Sequence, residues 1–190
     1  YQEAERYYRQ ALTLRRKLYG NEHETVATVL SNMAVLLRLK GDYSAAETAQ
    51  REALEIYRKT LGEEHPLFLR SLNNVGALLQ ARGAIAEAEA IERQALAIRR
   101  RVLGPQHPDI VTNLSNLGVL LNQKGETGEA AAIYREALAL SRKALGNEHL
   151  ITARVLGNFG SLLIDLKEFR QARDLLTEAL QIRRKQLGTE

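Results

Sequence analysis

The chain repeats itself every 42 residues, which restricts it to architectures in which one small unit is stacked on the next. Gly20, Gly62, Gly104, Gly146 and Gly188 mark the interval, and His23, His65, His107 and His149 keep it. So do Asn32, Asn74, Asn116 and Asn158. The apolar positions hold the same register: Leu37, Leu79, Leu121 and Leu163 in one half of the unit, and Leu12, Leu54, Leu96, Leu138 and Leu180 in the other. Small residues form three further columns: Ala46, Ala88, Ala130 and Ala172; Ala11, Ala53, Ala95, Ala137 and Ala179; and Ala34, Gly76, Gly118 and Gly160. Small residues let helices approach closely, so the unit is predicted to be two tightly packed helices.

Local chemistry marks the boundaries. In the second unit, Leu61-Gly62 ends a helix with glycine in the left-handed cap position. Pro66 then opens the next helix at its first position, where the missing N–H costs nothing. That helix is predicted over Pro66 to Arg82, with Leu69, Leu72, Val75, Leu78 and Leu79 at helical spacing. Gly83 breaks it, and a second helix follows from Ile85 to Val102, burying Ala88, Ile91, Ala95 and Ile98. Composition agrees: only 5% of residues are aromatic, three are proline, and Ala, Leu, Glu, Arg and Gln dominate, all side chains that lose little freedom in a helix. Helix pairs this short cannot sequester their apolar faces alone, so each must lean on its neighbour. The expected fold is all-α, a right-handed superhelical solenoid of antiparallel helix pairs. Tyr1 aligns with Tyr43, Ile85 and Phe169, the openings of second helices, so the chain begins halfway through a unit. Nine helices are expected in a single solenoid over residues 1–190: an orphan second helix in 1–20, then full repeats at 21–62, 63–104, 105–146 and 147–188. The opening Tyr1-Gln2-Glu3 reads as part of a longer chain.

These columns resemble tetratricopeptide repeats of the 42-residue kind found in kinesin light chains and in many bacterial proteins. The resemblance spans essentially the whole chain. It is carried by Leu72-Asn73-Asn74-Val75-Gly76 and Leu114-Ser115-Asn116-Leu117-Gly118 in first helices, and by Ala88-Glu89 and Gln94-Ala95-Leu96-Ala97-Ile98 in second helices. The turns Leu61-Gly62-Glu63-Glu64-His65-Pro66 and Leu103-Gly104-Pro105-Gln106-His107-Pro108 complete it. Lys167 departs from the glycine of Gly41, Gly83 and Gly125, and Glu24 and Leu150 replace the turn proline, so looser or differently capped turns are expected there. The resemblance implies a concave groove, lined mainly by first helices, that accepts extended or helical peptides. In kinesin light chains these include acidic segments containing tryptophan.

Several chemistries are excluded by what the sequence lacks. There is no cysteine, hence no disulfide, thiolate metal site or cysteine nucleophile. No His-Glu-x-x-His motif, phosphate-binding glycine loop or dinucleotide fingerprint occurs, so no cofactor, no metal and no enzymatic activity are expected. One histidine per repeat places imidazoles roughly 10 Å apart by helix-packing spacing, too far to share a metal, and turn capping is the better account. Glu87, Glu89 and Glu92 read as a solvated helix face. No apolar run approaches the length of about 20 residues needed to cross a bilayer, which points to a soluble, cytoplasmic protein without a membrane partner. Net charge is +4 from 27 basic and 23 acidic residues, interspersed, a weak nucleic-acid signal. The basic runs Arg15-Arg16-Lys17, Arg99-Arg100-Arg101 and Arg183-Arg184-Lys185 close helices, where cations complement the macrodipole. Tyrosines are irregularly placed and expected in packing.

The candidate binding residues lie on first helices. Asn32, Asn74, Asn116 and Asn158 carry both donors and acceptors in positions where asparagine disfavours helix, so something must compensate. Two readings stand side by side: their amides pair with a ligand's main chain, or they bond neighbouring helices and maintain the superhelix. One row of neighbours is Thr28, Arg70, Thr112 and Arg154; the next includes Ser31, Asn73 and Ser115; further along come Arg38, Gln80 and Asn122. Amides, hydroxyls and guanidinium groups suit a peptide backbone with an occasional carboxylate. The expected partner is a protein or extended peptide, with some acidic residues because Arg38, Arg70 and Arg154 face no carboxylate before Asp165. The alternatives are self-association through the unpaired first helix, whose Ala4, Ala11 and Leu14 would form an exposed apolar strip, or service as the docking or sensor arm of a larger enzyme or signalling protein.

Overall fold

The computed structural model describes residues 1–188; the last two residues of the 1–190 span lie outside the described residues. Among the described residues there are nine α-helices and no strand: α1 (Gln2–Tyr19), α2 (Glu24–Leu39), α3 (Tyr43–Leu61), α4 (Pro66–Ala81), α5 (Ile85–Leu103), α6 (Asp109–Gln123), α7 (Thr127–Leu145), α8 (Leu150–Asp165) and α9 (Phe169–Leu187). The predicted boundaries in the second unit are met to within one residue. The helices form two compact units, Tyr1–Ile98 and Arg99–Glu190, with the boundary inside α5.

In the first unit α2 packs against α1, α3 and α4. Val26, Ala27, Leu30 and Ala34 of α2 meet Ala49, Ala53, Ile56 and Tyr57 of α3, Phe68, Leu69 and Leu72 of α4, and Ala95 and Ile98 of α5 in one buried cluster. In the second unit α6 packs on α7, α7 on α8 and α8 on α9, and α6 also touches α8. Ala153 and Leu156 of α8 close on Ala179 and Ile182 of α9. The leucine column Leu37, Leu79, Leu121 and Leu163 is buried throughout. Each such side chain contributes roughly 1.5–3 kcal/mol by leaving water.

The histidines cap the first helices. Nδ1 of His23, His65 and His107 accepts from the backbone N–H of Thr25, Leu67 and Asp109 at 3.2 Å, and Nδ1 of His149 from that of Ile151 at 3.1 Å. The imidazole therefore takes the role that Ser or Asp usually has toward the orphan N–H groups of a helix. Glu24 and Leu150, which replace the turn proline, leave this cap unchanged, but the turns before them are looser as expected: His65 N–H donates to Gly62 and His107 N–H to Gly104, and neither His23 nor His149 makes the equivalent bond.

Second helices end at Gly62 with φ 83° and ψ 165°, so glycine is required for its positive φ, but the backbone is extended in ψ and is not the left-handed helical cap the sequence suggested. Lys167 is a second correction. It adopts φ 61°, beside 83°, 81° and 83° at Gly41, Gly83 and Gly125. Its neighbours keep the same bonds: Glu168 N–H donates to Leu163 as Asp42 N–H donates to Leu37. The turn keeps its shape and Lys167 bears the strain, because the five-residue bond leaves the chain no other path.

The small column Ala34, Gly76, Gly118 and Gly160 faces a column of larger side chains from the second helices: Gln50, Glu92, Tyr134 and Leu176. A Cβ on Gly76 would stand 3.1 Å from Oε1 of Glu92, and one on Gly160 would stand 2.7 Å from Cγ of Leu176. The solvated carboxylate face predicted on α5 is accordingly wrong for two of its three members. Glu87 is exposed, but Glu89 and Glu92 are buried, Glu92 at 2% exposure, because Glu92 occupies the position that Gln50 and Tyr134 fill in their repeats.

Candidate functional site

The first helices bring the predicted residues together unit by unit. In the first unit α2 carries Thr28, Asn32 and Arg38, and α4 carries Arg70, Asn73, Asn74 and Gln80. Thr28 is turned toward its own repeat: its hydroxyl donates to the Glu24 carbonyl and accepts from the Tyr57 hydroxyl, both at 3.0 Å. Asn74 Nδ2 donates to Ser31 Oγ at 3.4 Å. Ser31 Oγ donates to Gln50 Oε1 at 3.2 Å, and Gln50 Nε2 donates to Ser71 Oγ at 2.6 Å. Gln50 and Ser71 are buried, so this chain of bonds runs under the surface between α2, α3 and α4. Asn73 and Gln80 are each engaged. Asn32, Arg38 and Arg70 are exposed and have no polar partner among the described residues.

In the second unit α6 carries Thr112, Asn116 and Asn122, and α8 carries Arg154 and Asn158. Arg154 Nη2 donates to Thr112 Oγ1 at 3.1 Å, Asn158 Nδ2 to Ser115 Oγ at 3.1 Å, and Asn122 Nδ2 to Asp165 Oδ2 at 3.0 Å. Asn116 is engaged as well. The candidate residues thus span adjacent first helices, one repeat reaching to the next. Asn74 and Asn158 spend one Nδ2 hydrogen on the serine of the preceding repeat, which supplies the compensation that their place in a helix demands. The second Nδ2 hydrogen and Oδ1 remain. Asp165, the one carboxylate anticipated near the arginines, is held by Asn122.

Between α2 and α4 lies a recess of about 60 Å³ lined by Ala34, Val35, Arg38, Gln50, Asn74, Ala77 and Leu78. Gln50 is the member that sequence reasoning missed. Its signal was an amide in a second-helix column facing small residues, since a long polar side chain there must pass between first helices. Elsewhere the cations are largely spent on carboxylates of the adjacent repeat: Arg16 with Glu52 at 2.6 Å, Arg100 with Glu136 at 2.5 Å and Arg142 with Glu178 at 2.8 Å.

The unpaired face of α1 carries the three residues singled out for it. Ala4 and Ala11 are half-buried, and Leu14, 55% exposed, sits in a hollow of about 680 Å³ whose other walls are Gln2, Glu5, Arg6, Arg9, Gln10, Thr13 and Lys17. Of the tyrosines, Tyr57 and Tyr134 are buried and Tyr1, Tyr7, Tyr19 and Tyr43 are exposed. Tyr134 stacks on Phe159 with ring centroids 5.7 Å apart, and burial raises the pKa of its hydroxyl. Among the described residues no three His, Asp or Glu side chains stand together as metal ligands, and no helix is long and apolar enough to cross a membrane.

Comparison with known proteins places this arrangement. A family profile described as tetratricopeptide repeat matches residues 1–59, 25–101, 67–143 and 109–185. No curated protein matches the chain. Among solved structures, the nearly identical TPR-like repeats from a kinesin light chain candidate of Podosopora anserina are 23% identical, with a TM-score of 0.80 over 99% of this chain and 89% of that one. BtubC (BKLC) from P. vanneervenii is 22% identical, with a TM-score of 0.84 over 100% of this chain and 75% of that one. The Rap conjugation gene regulator of plasmid pLS20, solved in complex with the Phr* peptide, is 19% identical, with a TM-score of 0.75 over 96% of this chain and 48% of that one. At these identities the structures establish the fold, an all-α solenoid of helix pairs, and the repeats matched along the sequence establish the family. The chain belongs to the tetratricopeptide-repeat family, a class of protein-interaction scaffolds.

Proposed function

We propose that the first-helix face of this scaffold is a groove for an extended polypeptide carrying some acidic residues. The observation that supports this reading is the exposed set Asn32, Arg38 and Arg70, which has no polar partner among the described residues, on a face where Asn74 and Asn158 each commit one amide hydrogen to a neighbouring serine. Extended main chain presents alternating donors and acceptors, and an asparagine amide that has spent one hydrogen on Ser31 or Ser115 still offers one of each. The guanidinium groups add charge-assisted pairing for carboxylates, about twice as strong as neutral hydrogen bonds. The pLS20 regulator shows a related fold holding a peptide. The scaffold acts in the cytoplasm by displaying a preformed surface, without chemistry of its own.

The test is selection from an unbiased peptide library on the immobilised chain, repeated on Asn74→Ala plus Asn116→Ala after circular dichroism shows retained helicity. Enrichment lost in the folded variant supports the groove; an unchanged set of peptides, or none from the wild type, removes it. The second reading is self-association through α1, favoured by the exposure of Leu14. Light scattering over a dilution series decides it: a mass that stays monomeric at every concentration rejects self-association.

A further inference from the structure

We propose that the last repeat carries a site for a phosphorylated side chain of the bound polypeptide, held between Arg154 of α8 and Arg183 of α9. The site rests on the groove reading for its polypeptide and adds the chemical class of one recognised group.

The repeat itself brings the two arginines together. In the first repeat Tyr57 of α3 reaches back to Thr28 of α2, and their hydroxyls share a hydrogen bond at 3.0 Å. Three periods on, the same two positions are Arg183 and Arg154. The arginine at the corresponding place in α5, Arg99, is buried and donates to the side-chain oxygen of Asn113, which withdraws it from the surface. Arg183 is exposed, and its guanidinium lies against the backbone of α8: Nη2 is 3.3 Å from where a Cβ on Gly157 would stand. Ser31, Asn73 and Ser115, one, two and three periods earlier in reverse order from Gly157, all carry side chains at this place. Glycine clears the space that Arg183 occupies.

Gly157 stands one turn after Arg154 on the same face of α8, so both guanidinium groups serve one stretch of helix. Arg154 is exposed and donates to the neutral hydroxyl of Thr112 at 3.1 Å, and Arg183 has no polar partner among the described residues. The carboxylates of this unit are turned elsewhere. Asp109, one turn before Thr112, stands 3.9 Å from His107 Nδ1; Asp165 accepts from Asn122; Glu148 pairs with Lys185, Glu178 with Arg142 and Asp174 with Arg173. Two positive charges are left side by side, and like charges at this spacing repel.

An anion of matching charge relieves that repulsion. A carboxylate brings one negative charge, whereas a phosphate monoester brings about −1.5 to −2 at neutral pH and three acceptor oxygens, enough for the fork of each guanidinium. Thr112 is readily exchanged for such a ligand, because a charge-assisted hydrogen bond is about twice as strong as a neutral one. Arg184, next in sequence, belongs to a different face: it continues the column of Arg16, Arg100 and Arg142, which form ion pairs with glutamates of second helices. Arg184 is therefore the control for charge alone.

The ¹⁵N-labelled chain is titrated at constant ionic strength with N-acetyl-phosphoserine N-methylamide, with N-acetyl-glutamate N-methylamide as the singly charged comparison, and with inorganic phosphate as the free source of the same anion. The expected result is a saturable shift of the Arg154 and Arg183 Nε–H signals with the phosphoserine probe, which binds about tenfold or more tighter than the glutamate probe and no weaker than inorganic phosphate. Among variants that keep wild-type helicity by circular dichroism, Arg154→Ala and Arg183→Ala each weaken binding about tenfold, Arg183→Lys weakens it less because the charge stays and the planar fork is lost, and Arg184→Ala leaves it unchanged. Gly157→Asn, which refills the space under Arg183, weakens it too. Equal binding of the glutamate probe, tighter binding of inorganic phosphate, shifts that never saturate, or a response that survives Arg183→Ala overturns the proposal. In the peptide selection, phosphorylated peptides that bind wild type and Arg183→Ala equally overturn the site and leave the groove standing. A library without binders removes the groove, and with it the polypeptide carrier, even where the phosphoserine probe still saturates.

Discussion

A Cβ atom on Gly118 would stand 2.7 Å from Cζ of Tyr134, closer than non-bonded carbons approach. The ring cannot retreat, because Tyr134 is buried and stacked on Phe159. Gly118→Ala gains helix propensity of about 1 kcal/mol and incurs an overpacking cost of about 1–3 kcal/mol, so a net loss is expected. Urea unfolding measures it. The first repeat carries the opposite combination, Ala34 beside a Gln50 whose amide is held by Ser31 and Ser71. Gly76→Ala, which meets only the end of the Glu92 side chain at 3.1 Å, should cost less than Gly118→Ala.

Lys167 is the one described non-glycine residue with positive φ. Left-handed backbone costs an L-residue about 1–2 kcal/mol, and glycine returns about half of that through the entropy of the unfolded chain. Lys167→Gly is expected to stabilise the chain by up to about 1 kcal/mol. A lowered melting temperature would refute the assignment of strain to this turn.

The imidazole caps predict a selective response to substitution. His65→Ala removes the acceptor for the Leu67 N–H and should cost about 1 kcal/mol, as loss of an N-cap does. His65→Asn supplies a short acceptor in the same place and should keep most of the stability. Equal losses for both variants would show that ring packing, not capping, is what His65 contributes.

Glu5 ties α1 to the end of α2. Hydrogen bonds from Lys40, and next from Arg9, hold its carboxyl below the ordinary carboxylate range. A depressed folded-state pKa stabilises above the unfolded value, and the contribution is lost as pH falls through the folded one. Glu5→Gln should therefore lower the hydrogen-exchange protection of α1 amides near neutral pH, and the difference from wild type should shrink as pH falls through the lowered folded-state pKa. A difference that persists in acid would mean that Glu5 acts through packing.

The repeat period, the number of helices and their ends were legible without a structure, because each is set by a local pattern. Leucine and alanine columns mark faces, glycine and the His-Pro turn mark ends, and neither needs knowledge of what lies across the interface. Lys167 was misjudged because composition shows a departure from glycine but not that the Glu168 to Leu163 bond forces the same backbone on whatever residue stands there.

The binding face was legible as a set of columns and not as a site. Asn74, Asn158 and Arg38 could be placed on first helices from spacing alone. Whether an amide there is free, half spent or oriented depends on residues a whole repeat away, such as Ser31 and Ser115. The burial of Gln50 and Glu92 follows the same logic: on an isolated helix both are polar surface residues, and they become interior only when a first helix with Ala34 or Gly76 closes over them. Short-range spacing therefore encodes the helices and their stacking period, while the hydrogen-bonded floor between α2 and α4 arises only when separate repeats meet, because its donors and acceptors come from three different helices.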